Sequence, residues 1–547
     1  MKIFFSVLTS VLIVFMTFSE SGTNIISKST LYSKKKFFVK TRSELKISEA
    51  TGKISLITGN KSLDEKIMRF GISDIEKFFK LNKGNPYLYS KYGMERIYSF
   101  RLDTNNYNDV ENIVREFAED QEVEFCEPDF IGISAGMKER INRSDLIKDN
   151  PNDEMFYKQW YLNNTGSVDP SSGGYPKIGA DIKILNTWEV ESGSDEVIVA
   201  ILDSGIKDDH PDLKDRIWIN KEEIPGNGID DDYNGYIDDY KGWDFAYDDR
   251  KPEDGFGHGT NIATVIGAKT DNSIGFAGID KKCRLMNCKN LNADNTGEYS
   301  WWAESIKYAV DNHADVINMS EGGDDYSRIL ETVVNYALES DVLIVAAMMN
   351  KGDGRDYYPA SQEGVFAVGA TDTDDRRCKR FSWGGGSCWG NHISVVAPGN
   401  KIYGLDYEND LNYEVYWSGT SQSTAIVSGI AALLKAQKHN RTGNDLKRII
   451  RLSAKDLVGD IREDKPGWDK YYGYGRVDSY SALTFEDYYP VENKIEENKK
   501  KNDIPDKEDQ NAGKDLKETV RDKPAKAVDK NSDSPDSDNN VEPAKKK

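Results

Sequence analysis

The sequence predicts an α/β protein in which a parallel sheet is covered by helices on both faces, preceded by a smaller α+β region. Three observations predict it. Short apolar runs (VIVAILDS at 197–204, CRLMNCKNL at 283–291, VINMS at 316–320, VLIVAAM at 342–348) alternate with amphipathic stretches around TGEYSWWAESIKYAVDN and ILETVVNYALE. Unbroken apolar runs of that length suit strands buried on both faces, as parallel strands are. The chain has 547 residues, room for one large core with smaller domains beside it. Its 5 cysteines are too few for a disulfide scaffold, so an apolar core must hold the fold.

In chain order, residues 1–21 read as a signal peptide. Lys2 precedes an apolar run from Ile3 to Phe18, and Ser19 and Ser21 supply small side chains before a cut. The run is short for a membrane span of roughly 20 residues. No later segment is long and apolar enough to cross a bilayer. The expected location is therefore secreted or at the cell surface, with no transmembrane anchor after signal removal. From 35 to 133 the strand-like KKFFVKT and YSFRL alternate with helical stretches, notably 108–119 with Val110, Ile113, Val114 and Phe117 at helical spacing. Residues 134–151 are polar, with Lys138 and Arg140 flanking Glu139, and read as an exposed, cleavable linker. A large domain should occupy 152–487. Beyond it, 491–547 contains no aromatic residue and is crowded with Lys, Asp, Glu, Asn, Pro and Ser, a composition expected to remain a disordered tail. The net charge of −21 argues against nucleic acid as a partner.

The stretch that begins at Tyr413, YEVYWSGTSQSTAIVSGIAALLKAQ, turns from polar Gly419-Thr420-Ser421 into small apolar residues. That pattern predicts a tight turn and a buried helix starting near Ser421. A hydroxyl there meets unpaired backbone N–H groups that favour developing negative charge. An ordinary N-cap explains the serine equally well. Two further segments carry chemistry-bearing residues, VAILDSGI at 199–206 and DGFGHGTNIATVIG at 254–267. Together with Gly419-Thr420-Ser421 and Ser428-Gly429 they resemble the subtilisin-like serine proteases. Asp before His before Ser is the order of that family, not of the chymotrypsin or α/β-hydrolase groups.

The resemblance implies a subtilisin-like catalytic domain opening at KQWYLNNTG (158–166), and for 35–133 a propeptide that assists folding and then acts as an intramolecular inhibitor. A permanent accessory domain is the alternative for that region. The implied activity is hydrolysis of protein or peptide substrates through an acyl-enzyme. Ser421 would be the nucleophile, His258 the base, Asp203 its orienting partner and Asn350 the oxyanion donor. A non-catalytic adhesion or binding protein on the same fold is the competing reading. VINMSEGG (316–323) matches the strand that pairs with an extended substrate, which implicates Ser320, Glu321 and Gly322. Glu321 stands where leucine is usual, and would either select a basic substrate residue or sit solvated at the rim. Met349 and Tyr357 replace smaller residues and should crowd the pocket for the residue before the cut bond. Asn261, Gln422 and Ala425 depart from the family's usual histidine, methionine and proline.

One acidic stretch, GNGIDDDYNGYIDDYKG at 226–242, places Asp230, Asp232, Asn234 and Asp238 at the first, third, fifth and ninth positions of an EF-hand-like loop with Gly235 at its turn. Lys241 stands where an EF-hand needs glutamate, so the motif is not an EF-hand. Similar stretches occur in calcium-binding subtilases, and dense oxygen ligands suit a hard cation such as structural calcium; a solvated acidic loop is the alternative. Cys378 and Cys388 flank Gly384-Gly385-Gly386 and could form a small bridge. Cys283 and Cys288 should face opposite sides of one strand.

Overall fold

The computed structural model describes residues 31–45, 56–79, 84–102, 110–140, 151–171 and 173–486. The expected signal peptide, the tail at 491–547 and linker residues 141–150 lie outside the described residues. Seven parallel strands form the central sheet, in the order Ile393–Pro398, Phe366–Thr371, Leu343–Ala347, Val316–Met319, Ile198–Asp203, Arg284–Lys289, Gly242–Asp244. Alternate side chains point to opposite faces, so Ala200 and Leu202 enter one core while Val199 and Ile201 enter another. Helices Tyr299–Asp311 and Arg328–Glu339 cover the first face. His258–Gly267, Thr420–Gln437 and Gly443–Ser453 cover the second. The apolar runs become strands as expected, because only a sheet enclosed on both sides can bury them continuously.

The strand Ile198–Asp203 comes first in this sheet, and later strands join on both of its sides. A crevice therefore opens beyond Asp203 and Met319, where ligand sites of open α/β sheets lie. Cys283 and Cys288 do fall in opposite cores. The expected bridge is absent: Cys378 and Cys388 are free and buried, Cys378 beside Phe381 and Cys388 accepting the Lys351 N–H at 3.2 Å.

The N-terminal region forms an antiparallel sheet, Val123–Ser134, Tyr32–Thr41, Ile97–Leu102, Ile72–Lys77 in spatial order. Helices Lys61–Phe70 and Val110–Ala118 flank it around Phe37, Val39, Ile67, Phe100, Ile113 and Phe117. The first helix begins at the Asn60 cap and stops at left-handed Gly71. This sheet does not end at the edge of its own core. Val123–Ser134 continues into pairing with Thr296–Glu298 and Glu321–Gly322, and Lys36 reaches Asp129 at 2.9 Å and Glu298 at 3.1 Å.

Candidate active site

Asp203 ends its strand, and His258 opens its helix. The imidazole Nδ1 lies 2.7 and 2.9 Å from the two Asp203 carboxylate oxygens, and the Ser204 N–H adds a 2.7 Å bond to the same carboxylate. Asp254 shapes the approach: it accepts the N–H groups of Phe256 and Gly257, and both the N–H and hydroxyl of Thr260. Gly259 is needed for closeness, since a Cβ there would meet the Gly205 carbonyl oxygen at 2.1 Å. The Trp417 ring stands edge-on to the imidazole at 5.1 Å. Among the described residues the outer nitrogen, Nε2, has no hydrogen-bond partner.

Ser421 lies one residue inside the helix that starts at Thr420. Gly419 supplies no capping side chain, so the first amides of this helix bond elsewhere. Thr420 N–H donates to the Asn350 side-chain oxygen at 3.0 Å, which turns the Asn350 amide nitrogen outward. That nitrogen and the Ser421 N–H (3.2 Å) both donate to one acceptor, the carbonyl oxygen of Ala135. The Ser421 hydroxyl donates to the Ser320 carbonyl at 2.9 Å. A serine hydroxyl, an imidazole fixed by a carboxylate, and two donors converging on a peptide carbonyl thus share one buried crevice. All of Asp203, His258 and Ser421 are inaccessible to solvent.

The Ala135 carbonyl is there because the chain runs through the crevice. Ala135 N–H donates to the Ser320 carbonyl at 2.8 Å, Ser134 pairs with Glu321, and Ile133 with Gly322. On the other side Thr296–Glu298 pairs with Ile131–Ile133, and beyond Gly136 the strand Met137–Arg140 pairs with Val415–Ser418. Ser134, Ala135 and Gly136 are buried, which corrects the expectation that 134–151 is exposed from its first residue. Sequence reasoning missed this segment because Ser134-Ala135-Gly136 carries no chemistry of its own. Its small side chains after a strand-like run were the only signal.

Glu321 also departs from expectation. Its backbone pairs with Ser134, and its side chain is not solvated at the rim. It is fully buried, accepts the Asn290 amide at 2.8 Å through Oε1, and leaves Oε2 unpartnered among the described residues. Burial, together with the nearby Asp203 charge, pushes its carboxyl well above the usual range. Met349 and Tyr357 line a cavity of about 130 Å³ with Gly322, Gly323, Ile131 and Ile133. Two of the family departures meet each other: the Gln422 amide donates to Asn261 at 3.2 Å.

In the acidic stretch, ligand oxygens of Glu223, Asp230 and Asp232 lie within 4.8 Å of one another. Asn234 stays close, its side chain donating to Asp232 at 3.1 Å. Asp238 is turned elsewhere, accepting the N–H groups of Gly226, Asn227 and Gly228 and the Arg250 guanidinium. Burial raises the Glu223 carboxyl, with Asp239 and Asp232 adding repulsion. Glu223 escaped notice because it precedes the motif by several residues and only folding brings it in.

The parallel sheet and the Asp–His–Ser constellation beside two converging N–H donors define a serine peptidase. A family model described as the subtilase family matches residues 194–475. Thermophilic serine proteinase of a Bacillus species (strain AK1) is 31% identical over 65% of this chain and 77% of its own length. Thermitase of Thermoactinomyces vulgaris is 30% identical over 61% and 99%, and an intracellular serine protease of Paenibacillus polymyxa 35% over 44% and 66%. The chain belongs to the subtilase family, and it is a serine endopeptidase. Among the described residues no helix is long and apolar enough to cross a membrane.

Proposed function

We propose that the chain is the precursor of a secreted serine endopeptidase that fills its own cleft until it is processed. Residues 35–133 are its folding-assisting, inhibitory propeptide. The observation that carries this reading is the Ala135 carbonyl held between the Ser421 N–H and the Asn350 amide. In the reaction the Ser421 hydroxyl swings from Ser320 to Nε2 of His258 and attacks a substrate carbonyl. His258 takes the hydroxyl proton and passes it to the leaving amine, while Asp203 holds the ring by Nδ1 and stabilises the imidazolium. Ser421 N–H and Asn350 stabilise the oxyanion, and removing one such donor typically slows kcat by about 10²–10³. Ser320, Glu321 and Gly322 offer a backbone edge to any extended peptide, which binds protein substrates with little demand on their sequence.

The carboxylates of Glu223, Asp230 and Asp232, with Asn234 beside them, would hold a structural calcium ion. Three acidic oxygen donors with no cysteine or histidine in the set suit a hard cation. The ion's part is to neutralise this loop and hold it to the domain.

Purified precursor of wild type and Ser421→Ala, refolded without other proteases, tests the central claim. The wild type should yield two fragments and react with a fluorophosphonate probe, and the variant should do neither. Fragmentation of the pure variant would refute self-processing.

A further inference from the structure

The chain passing through the cleft shows which residues fit at each position. Gly132 lies against Trp302: a Cβ there would meet ring carbons Cη2 and Cζ2 at 2.0 and 2.7 Å and the Gly322 carbonyl oxygen at 2.9 Å. Trp302 is fully buried and stacked on Tyr299 with ring centres 4.6 Å apart, so the ring has nowhere to swing. Gly136 lies against the catalytic imidazole. A Cβ there would meet His258 Nε2 at 2.6 Å, Cδ2 at 3.0 Å and Gln422 Oε1 at 3.1 Å. Neither glycine has a left-handed backbone, so space rather than conformation demands them. Between them the demand relaxes at Ile133 alone. Ile133 is 39% exposed, whereas Ser134 is buried and its hydroxyl accepts from the Asn295 amide.

We propose that Ala135–Gly136 is the bond this enzyme cuts in its own chain. Its cleft selects extended segments with glycine at the fourth position before the cut and glycine immediately after it, with Trp302 excluding side chains at the first of these and His258 with Gln422 at the second. The inference rests on the self-processing reading above. In the step, Ser421 Oγ bonds to the Ala135 carbonyl carbon and the bond to the Gly136 nitrogen breaks. His258 delivers the serine proton to that nitrogen. Water then hydrolyses the ester, leaving a chain that ends in the Ala135 carboxylate, a new N-terminus at Gly136 and a restored Ser421 hydroxyl.

Two measurements test this. Intact mass and N-terminal sequencing of the processed wild type should place the new terminus at Gly136; a terminus elsewhere overturns the assignment. Peptides containing Gly-Ile-Ser-Ala-Gly-Met are then compared with versions carrying Leu for the first Gly or Val for the second, using the processed wild-type enzyme. Each replacement should lower kcat/KM at least tenfold, and Trp302→Ala should narrow the gap for the Leu peptide. Equal cleavage of the three peptides by the wild type overturns the selectivity. Fluorophosphonate labelling of the same sample separates the two levels. Protein that labels but ignores the glycines refutes only this inference, whereas protein that neither labels nor cuts any peptide refutes the self-processing reading beneath it.

Discussion

Replacing Gly419 by alanine separates folding from catalysis. The backbone at Gly419 is extended, with φ of 168°, a conformation any residue adopts, so Gly419→Ala introduces no backbone strain. The added Cβ would lie 2.2 Å from the Ala135 carbonyl oxygen and 3.0 Å from the Asn350 amide nitrogen. Ordinary carbon–oxygen contact needs a separation roughly 1 Å greater, so a bound carbonyl must retreat by about that much, and displacement of that size costs about 10² in rate. Retreat also stretches the bonds from Ser421 N–H and Asn350, each worth about 10²–10³ in kcat. The combined loss should reach about 10³, or ~4 kcal/mol of transition-state stabilisation. Wild-type and variant precursors are refolded side by side, processing is followed by gel, and peptide hydrolysis is measured on any mature enzyme. Thermal unfolding of each in a Ser421→Ala background reports the fold. A variant that melts with the wild type yet processes at least a hundredfold more slowly bears the reasoning out. Normal processing would show that the oxyanion cradle tolerates a methyl group and that the carbonyl is bound differently during reaction.

Three further outcomes are expected. Asn350→Ala should lower kcat by about 10²–10³ with little change in KM, because in the proposed mechanism its amide acts on the charged intermediate; equal effects on both constants, measured with peptide substrates, would contradict this. Calcium at a hundredfold excess over Kd should add about 2.7 kcal/mol to stability, and Asp232→Asn or Glu223→Gln should weaken binding in calorimetric titration, whereas unchanged titrations would leave the loop merely acidic. The raised Glu321 carboxyl means the folded state holds a proton the unfolded chain releases above about pH 4.5, so stability falls as pH rises from there, by up to about 1.4 kcal/mol per pH unit for one proton. Glu321→Gln, in a Ser421→Ala background, should remove that slope in urea unfolding across pH 4–8, and parallel curves for the two proteins would exclude Glu321 as its source.

The candidate catalytic centre was legible in the sequence because its residues sit in short contiguous motifs. His258 starts one helix and Ser421 lies one residue inside another, each with a readable apolar run, and Asp203 closes a strand with an unmistakable apolar pattern. The helix Lys61–Phe70 was not, since it buries only Leu63 and Ile67 and the rest of its surface is polar. Glu321 misled for another reason. Sequence gives a charged residue's position on a strand but not the partner that lets it be buried, here Asn290, which lies on a separate segment. Glu223 and the Ala135 carbonyl share that difficulty: each matters through what folding brings beside it, and neither belongs to a pattern along the chain.

The strand Val123–Ser134 is bound along both edges, by Tyr32–Thr41 of its own region and by Thr296–Glu298 and Glu321–Gly322. While the chain is continuous, the grip on this strand is an intramolecular equilibrium, set by an effective concentration that dilution cannot change. The proposed cut next to it would turn the contacts with Thr296–Glu298 and Glu321–Gly322, the Lys36 ion pair with Glu298 included, into an ordinary bimolecular complex. Release then follows mass action. A concentrated preparation should stay silenced by its own cut fragment, and the same preparation should gain specific activity on dilution alone.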